Sequence, residues 1–362
     1  MKIQRIFFDA RFIRWDNHDG ISRFSAGLFA ALHRRTPVTA IIHDTRQLQR
    51  LPKGCDYLVA SDPTSLRELF IATKLNKAGA HLVFSPMQTM GSWFRKYKLV
   101  LTLHDLIYYR HPTPPPVFNA AIRLIWRLYH LVYWPQRLLL NRADAVATVS
   151  RTSKRLIEEY KLTKRPVTVI YNAAGSLNGD YQHAQPKQRP RELQSLVYMG
   201  SFMDYKNVEV LINGMKHLPD YELQLLSRIT PERRAELESL VDPSGGAVIF
   251  HNGVSENEYH NQLDKAVALV TGSQDEGFGI PLVESMSRGV PVVVSDIEIF
   301  REIGGQAAVF FDQNDAASFS NAVKTLESNP RWMDRSHLSM RQSEEFNWDK
   351  SAAELIELMG RL

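Results

Sequence analysis

Two glutamates, Glu276 and Glu284, begin and end the segment EGFGIPLVE. The segment contains two glycines and a proline, and an apolar run precedes it. Glycines let a ligand approach the backbone closely, and a proline at this place is typical of the first turn of a helix. The N-terminus of such a helix presents unpaired N–H groups and a partial positive charge, which suit a diphosphate. Ionised carboxylates only accept hydrogen bonds, which suits sugar hydroxyls. Taken alone, the segment could also be an ordinary strand-to-helix turn with a surface glutamate.

Several stretches of the chain resemble one known family. The segment EGFGIPLVESMSRGVPVVVSD resembles the two-glutamate signature of the retaining glycosyltransferases with a GT-B fold, which include many bacterial mannosyl-, glucosyl- and rhamnosyltransferases. HNGVSENEYHNQLDKAVALVTGS resembles the nucleotide-side segment upstream of it, and YMGSFMDYKN resembles the opening of the family's second domain. In the first half DAR, DGISRF, LHDL, TVS and IYN follow in the family's order, so the resemblance runs from about residue 3 to about residue 355.

The resemblance implies an α/β protein with a GT-B fold, in which two Rossmann-like domains face each other across a cleft. It also implies roles for single residues, and the expected catalytic residues are His104, Glu276 and Lys206. Lys206 matches the lysine that neutralises donor phosphate, and Glu276 matches the residue near the transferred sugar. Glu284 matches the residue that holds the ribose hydroxyls, and His104 matches the histidine beside the donor sugar. A solvent lysine and a buried core histidine are the alternative interpretations of Lys206 and His104.

Further donor-binding residues are expected in loops, where the resemblance puts the backbone of Gly20 close to the diphosphate and the acceptor. Besides Lys206 and Glu284, the expected set is Gly20, Gly200, Ser201, Arg228, Val254, Gly277, Phe278, Gly279, Ile280, Pro281 and Leu282. The chain departs from the family at two positions, with Asp19 where a glycine is frequent and Ser201 where an arginine is frequent. Arg228 or Arg23 could supply the missing charge, and the sequence does not choose between them.

The sequence favours a site without metal or cofactor. No Asp-x-Asp occurs in the chain, so the metal–diphosphate clamp of the other major transferase fold is not expected. Lys206, helix N–H groups and an arginine would carry the charge of the leaving diphosphate instead. The single cysteine, Cys55, excludes an internal disulfide framework and any multi-cysteine metal site.

A chain of 362 residues predicts two globular domains. Short apolar runs alternate with amphipathic stretches, which predicts parallel sheets covered by helices. The expected strands are residues 3–8, 38–42, 81–84, 99–103, 145–149 and 167–170, then 195–198, 222–226, 247–250, 266–270, 291–294 and 307–310. The polar segment 178–191 is typical of a linker. We therefore expect an acceptor-binding domain over residues 1–178 and a donor-binding domain over 190–345, with a helix over 348–362 that packs back on the first.

Charge is divided unevenly along the chain. Residues 1–180 carry a net charge of +15 and the remainder −10, which indicates an anionic partner for the first half. Residues 118–140 mix Trp, Tyr and Leu with Arg123 and Arg127, a pattern typical of a helix at an anionic bilayer surface. A buried scaffold helix with a charged edge is the alternative. No apolar run is long enough to span a bilayer, so we expect a cytoplasmic protein with a peripheral position at the inner face of the membrane.

The function expected from these observations is transfer of a hexose, with mannose and GDP-mannose favoured, from a nucleotide diphosphate sugar to a glycan or lipid-linked acceptor. The resemblance implies retention of anomeric configuration, with the donor diphosphate helping to accept the proton of the attacking hydroxyl. The pathway expected is bacterial cell-envelope or polysaccharide biosynthesis. The alternatives are a nucleotide-sugar epimerase on the same fold and a non-catalytic nucleotide-sugar binding module; nucleic acid is not an expected partner. The donor base remains open among GDP, UDP, ADP and dTDP.

Overall fold

A computed structural model describes residues 5–15, 19–114, 120–175, 189 and 194–362. The chain divides into two units, Met1–Tyr181 with Asn347–Leu362, and Gln182–Phe346. Each unit has a parallel β-sheet with helices in the connections, so the predicted α/β class with two Rossmann-like units is confirmed. Apart from Arg189, the predicted linker 178–191 lies outside the described residues.

The first unit is built on a parallel sheet whose apolar strands are largely buried. Its strands are β1 Ile6–Asp9, β2 Val38–Ile42, β3 Tyr57–Val59, β4 Leu82–Ser85, β5 Lys98–Thr102, β6 Ala145–Thr148 and β7 Val167–Val169. Within the described residues these seven strands lie in the order β3-β2-β1-β4-β5-β6-β7, and every neighbouring pair is parallel. Burial on both faces explains why strands such as Ala145–Thr148 are buried along their whole length.

Helices cover this first sheet. They are α1 Gly20–Arg35, α2 Ile71–Lys77, α3 Ile107–Arg110, α4 Ala120–His130, α5 Trp134–Asn141 and α6 Arg151–Glu159, with 3-10 turns at Ala10–Phe12, Thr45–Arg50 and Leu66–Phe70. Helix α1 begins after Asp19, whose carboxylate Oδ1 accepts a hydrogen bond from the Ser22 amide at 2.9 Å. Aspartate is a strong N-cap, which gives a physical reason for its presence where the family often has glycine.

The second unit repeats the arrangement. Its strands are β8 Gln194–Tyr198, β9 Tyr221–Leu225, β10 Ala247–Phe250, β11 Ala268–Thr271, β12 Val292–Ser295 and β13 Val309–Phe311. The six strands found in the described part of this unit lie in the order β10-β9-β8-β11-β12-β13, again all parallel. The helices are α7 Val208–Gly214, α8 Pro231–Glu238, α9 Glu256–Lys265, α10 Ile280–Ser287, α11 Glu298–Gly304, α12 Ala316–Lys324 and α13 Asn329–Ser343. 3-10 turns occur at Asp204–Lys206 and Met215–His217.

Helix α14, Trp348–Gly360, returns to the first unit and packs on α1. The ring of Trp348 fills the space over Gly27, where an added Cβ would lie 2.4 Å from Trp348 Cε2. The Ser351 hydroxyl also donates to the Tyr171 carbonyl oxygen at 2.7 Å. Only glycine at position 27 permits this close approach.

The twelve predicted strands are all present, with bounds that differ by no more than two residues except at the first strand, whose predicted start lies outside the described residues. The sequence did not predict β3, which has three residues, two of them exposed, at the edge of the sheet. Across the described residues, no helix combines the length and apolar character needed to cross a bilayer.

Candidate active site

The loop before α10 has the geometry that the sequence predicted. Gly279 is the N-cap of α10 with φ 91°, in the left-handed region that favours glycine, and Pro281 lies in the first turn. Gly277, Phe278 and Leu282 are buried, while Ile280 is partly buried. Because α10 follows β11, the start of the helix lies on the side of the carboxyl edge of the sheet. The first amides of α10 have no partner within the helix. This end of α10 can bind an anion through N–H groups.

Lys206 and Glu276 form an ion pair in front of this helix. The ammonium Nζ lies 2.5 Å from Glu276 Oε1, and the side chains are only 13% and 15% exposed. Lys206 ends the 3-10 turn after β8, whereas Glu276 lies in the loop after β11, so neighbouring strands bring them together. Lys206 is therefore not a solvent lysine, and its ammonium is held by Glu276, which lies three residues before the N-cap of α10.

Glu284 lies inside α10 and is nearly buried, with 8% of its surface exposed. Its Oε2 accepts a hydrogen bond from the Tyr259 hydroxyl at 3.0 Å. Tyr259 is a buried residue of α9 that sequence reasoning did not select; it lies four residues after Ser255, whose capping box with Glu258 starts that helix. An ionised carboxylate only accepts hydrogen bonds, which suits hydroxyl donors.

Gly200 and Ser201 lie in the loop after β8. The Gly200 amide donates to Ser227 Oγ at 3.1 Å, and the Tyr198 hydroxyl donates to the Ser201 carbonyl oxygen at 2.6 Å. A Cβ on Gly200 would lie 2.8 Å from the Tyr198 hydroxyl oxygen, so a side chain does not fit here without a shift. Ser201 itself is exposed.

Arg228 lies at the same edge of the second sheet, after β9. Its side chain is exposed and rests on Gly253, where an added Cβ would be 2.7 Å from Arg228 Cγ. Among the described residues the Arg228 guanidinium forms no hydrogen bond or ion pair. Val254 follows Gly253 and is partly buried. Arg228 is therefore an available cation on the unit that carries Ser201.

His104 follows β5 in the first unit. Its Nε2 lies 2.8 Å from the Pro86 carbonyl oxygen, and Phe24 of α1 contacts the ring edge to face at a centroid distance of 5.0 Å. Burial lowers the pKa of His104 below its usual value, an effect that the Pro86 hydrogen bond and the Asp19 charge only partly oppose. The ring is therefore neutral at pH 7. Because a carbonyl only accepts, Nε2 carries the proton and Nδ1 is left as an acceptor.

The first unit thus brings His104 close to the N-terminus of α1, where Gly20 is exposed as the first helical residue. The second unit brings Lys206, Glu276, Glu284 and Arg228 to one edge of its sheet. No group of three or more His, Cys, Asp or Glu side chains within the described ranges could hold a metal ion.

Helix α4 carries Arg123 and Arg127 on an exposed surface. Trp126 packs on Tyr108 and His130 at ring-centroid distances of 5.1 and 4.1 Å, and this aromatic side faces the body of the unit. The rest of the helix exposes the large apolar residues Ile122, Leu124, Ile125 and Leu128, and Leu131 directly after it is also exposed. In the part of the chain that is described, neither arginine has an ion-pair partner. A buried scaffold helix is therefore wrong for α4. Residues 118–119 lie outside the described residues, and the remainder of the predicted 118–140 segment consists of α4 and α5 joined by the short connection 131–133.

Two family models match the chain. The model for glycosyl transferases group 1 matches residues 182–344, and that for Glycosyltransferase Family 4 matches residues 71–174. The structure of sucrose-phosphate synthase from Thermosynechococcus elongatus superposes with a TM-score of 0.74 at 18% sequence identity, covering 99% of this chain and 98% of that one. Together the two glycosyltransferase models match most of the chain, and its fold is that of the GT-B glycosyltransferases.

Other solved structures share the fold of this chain. Anabaena HepE in complex with UDP and glucose superposes with a TM-score of 0.73 at 16% identity, covering 99% of this chain and all of that one. WaaG, a glycosyltransferase involved in lipopolysaccharide biosynthesis, gives a TM-score of 0.68 at 14% identity over 98% of this chain and 99% of WaaG. At these identities the likeness shows the fold alone.

Sequence relatives of this chain include bacterial mannosyltransferases. The O-antigen chain mannosyltransferase RfbU of Salmonella typhimurium is 29% identical over 233 residues, 64% of this chain and 61% of RfbU. The O-antigen chain mannosyltransferase B of Escherichia coli is 25% identical over 278 residues, 72% of this chain and 70% of that protein. The match to the serotype-specific mannosyltransferase WbdA of Escherichia coli covers 74% of this chain but 34% of WbdA. The chain thus spans less than two thirds of RfbU and about a third of WbdA.

Proposed function

We propose that the protein transfers a hexosyl group, with mannose favoured, from a nucleotide diphosphate sugar to a glycan or lipid-linked acceptor. The observation that carries this proposal is the Lys206–Glu276 ion pair in front of the N-terminus of α10. An ammonium and free helix amides side by side suit a diphosphate, and a carboxylate beside them suits the attached sugar. The mannosyltransferase relatives support mannose, and GDP-mannose is the first donor to test.

In the reaction we propose, the acceptor hydroxyl oxygen forms a bond to the anomeric carbon as the bond from that carbon to the diphosphate breaks. Lys206, the first amides of α10 and the Arg228 guanidinium stabilise the charge that develops on the leaving diphosphate. The diphosphate takes the proton of the attacking hydroxyl, and the anomeric configuration is retained. No covalent sugar–enzyme bond is proposed.

Two further groups orient the donor in this proposal. Glu284, held by the Tyr259 hydroxyl, accepts hydrogen bonds from the ribose hydroxyls. His104, neutral and with its proton on Nε2, offers Nδ1 as an acceptor to a hydroxyl of the transferred sugar. Gly20 begins the helix whose Phe24 contacts His104, and as a glycine it would let the diphosphate or acceptor approach the backbone of α1.

We also propose that the acceptor is membrane-linked and that the protein docks on the cytoplasmic face of an anionic bilayer through α4. The exposed apolar residues of α4 suit the interfacial layer, while Arg123 and Arg127 suit lipid phosphates. Two sequence relatives are O-antigen chain mannosyltransferases, which supports a glycan as the acceptor. Polysaccharide biosynthesis at the cell envelope is the pathway that this acceptor implies.

The deciding experiment is a panel of nucleotide sugars, namely GDP-mannose, UDP-glucose, UDP-galactose and dTDP-rhamnose. Thermal shift measures binding, and release of nucleoside diphosphate with and without excess chelator measures turnover. We expect GDP-mannose to stabilise the protein most and turnover to survive chelation, because protein groups carry the diphosphate charge. Binding with no release would favour a non-catalytic binding module, and interconversion of the sugar without acceptor would favour an epimerase. Turnover that is lost on chelation and restored by magnesium or manganese would contradict metal independence.

A further inference from the structure

A chain of buried hydroxyls lies behind Glu276. Ser273 Oγ donates a hydrogen bond to Glu276 Oε1 at 3.1 Å, and Thr271 Oγ1 lies 3.1 Å from Ser273 Oγ. Ser273 is fully buried and Thr271 is 7% exposed. Thr271 ends β11, so both hydroxyls belong to the carboxyl edge of the second sheet. They have no role in the function proposed above.

The direction of these hydrogen bonds follows from the number of protons. An ionised carboxylate only accepts, so Ser273 must donate its single hydroxyl proton to Glu276. Thr271 must then donate to Ser273, because the Ser273 oxygen has only its lone pairs left. Two hydroxyl dipoles therefore point in sequence at the Glu276 carboxylate, and hydrogen bonds arranged in such a chain strengthen one another.

The backbone that carries Ser273 is anchored on both sides. The Ser295 hydroxyl, at the end of β12, donates to the Ser273 carbonyl oxygen. The Gln274 amide donates to the Tyr205 carbonyl oxygen at 2.7 Å, which ties this loop to the turn that carries Lys206. The Ser273 hydroxyl therefore occupies a fixed position, whereas the Lys206 ammonium sits on a flexible four-carbon stem.

The two oxygens of Glu276 are used differently. Oε1 accepts from both Lys206 and Ser273, while Oε2 has no hydrogen-bond partner among the residues that the structure describes. We propose that Ser273, supported by Thr271, is a positioning residue that holds Glu276 so that Oε2 faces the transferred sugar. This inference rests on the proposed function. When a bound diphosphate attracts the Lys206 ammonium and weakens its ion pair with Glu276, the hydrogen bond from Ser273 still holds the Glu276 carboxylate in place.

The first test needs no ligand. Crystal structures of the unliganded wild type, Ser273→Ala and Ser273→Thr are compared at Glu276. We expect the Glu276 carboxylate to move or to occupy several positions in Ser273→Ala and to keep its place in Ser273→Thr. An unchanged Glu276 in Ser273→Ala would overturn the positioning role, whatever donor the protein uses. This result is independent of the proposed reaction.

The second test is kinetic and uses the donor that is turned over by the wild type. We expect Ser273→Ala to lower kcat about tenfold with donor KM changed by less than about threefold, because the phosphate and ribose contacts remain. Ser273→Thr keeps the hydroxyl and should recover most of kcat. Thr271→Val removes the outer donor and should give an intermediate kcat.

The matched control for these variants is Ser320→Ala. Ser320 is a buried serine of the same unit that donates to the Gly214 carbonyl oxygen at 2.8 Å. We expect its loss to lower the melting temperature without lowering kcat. A kcat reduced equally in Ser320→Ala, or wild-type kcat in both Ser273→Ala and Thr271→Val, would contradict the proposal. If Ser273→Thr does not fold, Thr271→Val decides the kinetic test alone.

Discussion

Single residues of the candidate site are held by partners within the protein itself. Glu276 is held by Lys206 and Ser273, and Glu284 by Tyr259. Such preorganisation favours catalysis, because charged groups already in place need not reorganise as the diphosphate develops its charge. It also makes the contribution of each partner measurable by substitution.

The first prediction at this scale concerns Lys206. Lys206→Ala should weaken nucleotide-sugar binding by about 1.5 to 3 kcal/mol, the usual range for a hydrogen bond to a charged group, and should lower turnover. Isothermal titration with the best donor of the panel measures the change. Lys216→Ala is the control, because Lys216 is a lysine of the same unit with 62% of its side chain exposed. Normal transfer by both Lys206→Ala and Glu284→Ala would show that the site assignment is wrong.

His104 gives a prediction about pH. Burial lowers the pKa of His104, so below its ordinary value of 6.5 the unfolded chain binds a proton that the folded chain does not. Stability therefore falls as pH drops from 6.5 towards the lower folded pKa, by at most about 1.4 kcal/mol per pH unit for this one group. Urea unfolding of wild type and His104→Gln at pH 7.5 and 5.5 isolates the effect. We expect a smaller loss of stability on acidification in His104→Gln; an equal loss would mean that His104 does not titrate in this way.

Among the elements, α10 and α4 carry the two binding functions proposed. Helix α10 begins sharply because Gly279 adopts a left-handed conformation and Pro281 fixes the first turn. Helix α4 instead turns only its aromatic side to the body of the unit and leaves its apolar and basic residues exposed. The proposed donor binding therefore depends on the geometry at the start of α10, and the proposed membrane binding depends on the composition of the exposed surface of α4.

Gly279→Ala tests the start of α10. A side chain at φ 91° is strained by about 1 to 2 kcal/mol, and the new Cβ would also lie 3.2 Å from Phe300 Cε1. We expect a lower free energy of unfolding and weaker donor binding, because the first amides of α10 shift. Gly360→Ala is the control, since no atom lies within 4 Å of a Cβ there. Donor affinity equal to wild type would show that the start of α10 does not bind the diphosphate.

The surface of α4 is tested with lipid vesicles. Each Lys or Arg held near an anionic membrane contributes about 1 kcal/mol, and salt screens this attraction. Wild-type protein should sediment with anionic vesicles at low salt, release at high salt and bind neutral vesicles poorly. Arg123→Glu with Arg127→Glu should reduce binding and leave donor affinity unchanged.

The control for the vesicle experiment is Lys53→Glu with Lys77→Glu, which makes the same charge change at exposed positions elsewhere on the first unit. Equal loss in both double variants would indicate that net charge alone drives binding. If the wild-type protein does not bind anionic vesicles at low ionic strength, the result would favour a soluble acceptor.

At the scale of the whole molecule, the chain builds one unit, then the other, and returns to the first through α14. The charge follows the same division, with the basic excess in the first half. The last helix therefore stabilises a unit whose strands come from the opposite end of the sequence. The contact of the Trp348 ring with Gly27 holds α14 against α1.

Trp348→Ala should destabilise the first unit by about 3 to 5 kcal/mol, because it removes a buried ring and leaves a cavity over α1. Thermal unfolding with and without donor is the measurement. We expect an earlier transition for the first unit, while the donor still stabilises the second. Trp134→Ala is the control, since that ring is 58% exposed. Similar melting curves for the two variants would contradict this account of α14.

Local sequence pattern by itself predicted twelve of the strands and the glycine-rich start of α10 with Glu276 and Glu284, whereas Lys206 and His104 became candidates through the family resemblance. Apolar runs and turn residues act over a few positions, so they can be recognised without the fold. Strand β3 was not predicted, because it has only three residues, two of them exposed, and such a segment shows no recognisable apolar run. The order of the motifs along the chain also indicated the family, because that order is a property of the sequence alone.

Only the tertiary structure decided which groups meet. Lys206 and Glu276 are 70 residues apart, and Tyr259 is 25 residues from Glu284, so no local pattern pairs them. The lowered pKa of His104 and the exposure of α4 likewise depend on the tertiary structure. Hydrogen bonding, desolvation and burial depend on which strands become neighbours in a sheet, and that order, unlike strand position, results from packing of the whole unit.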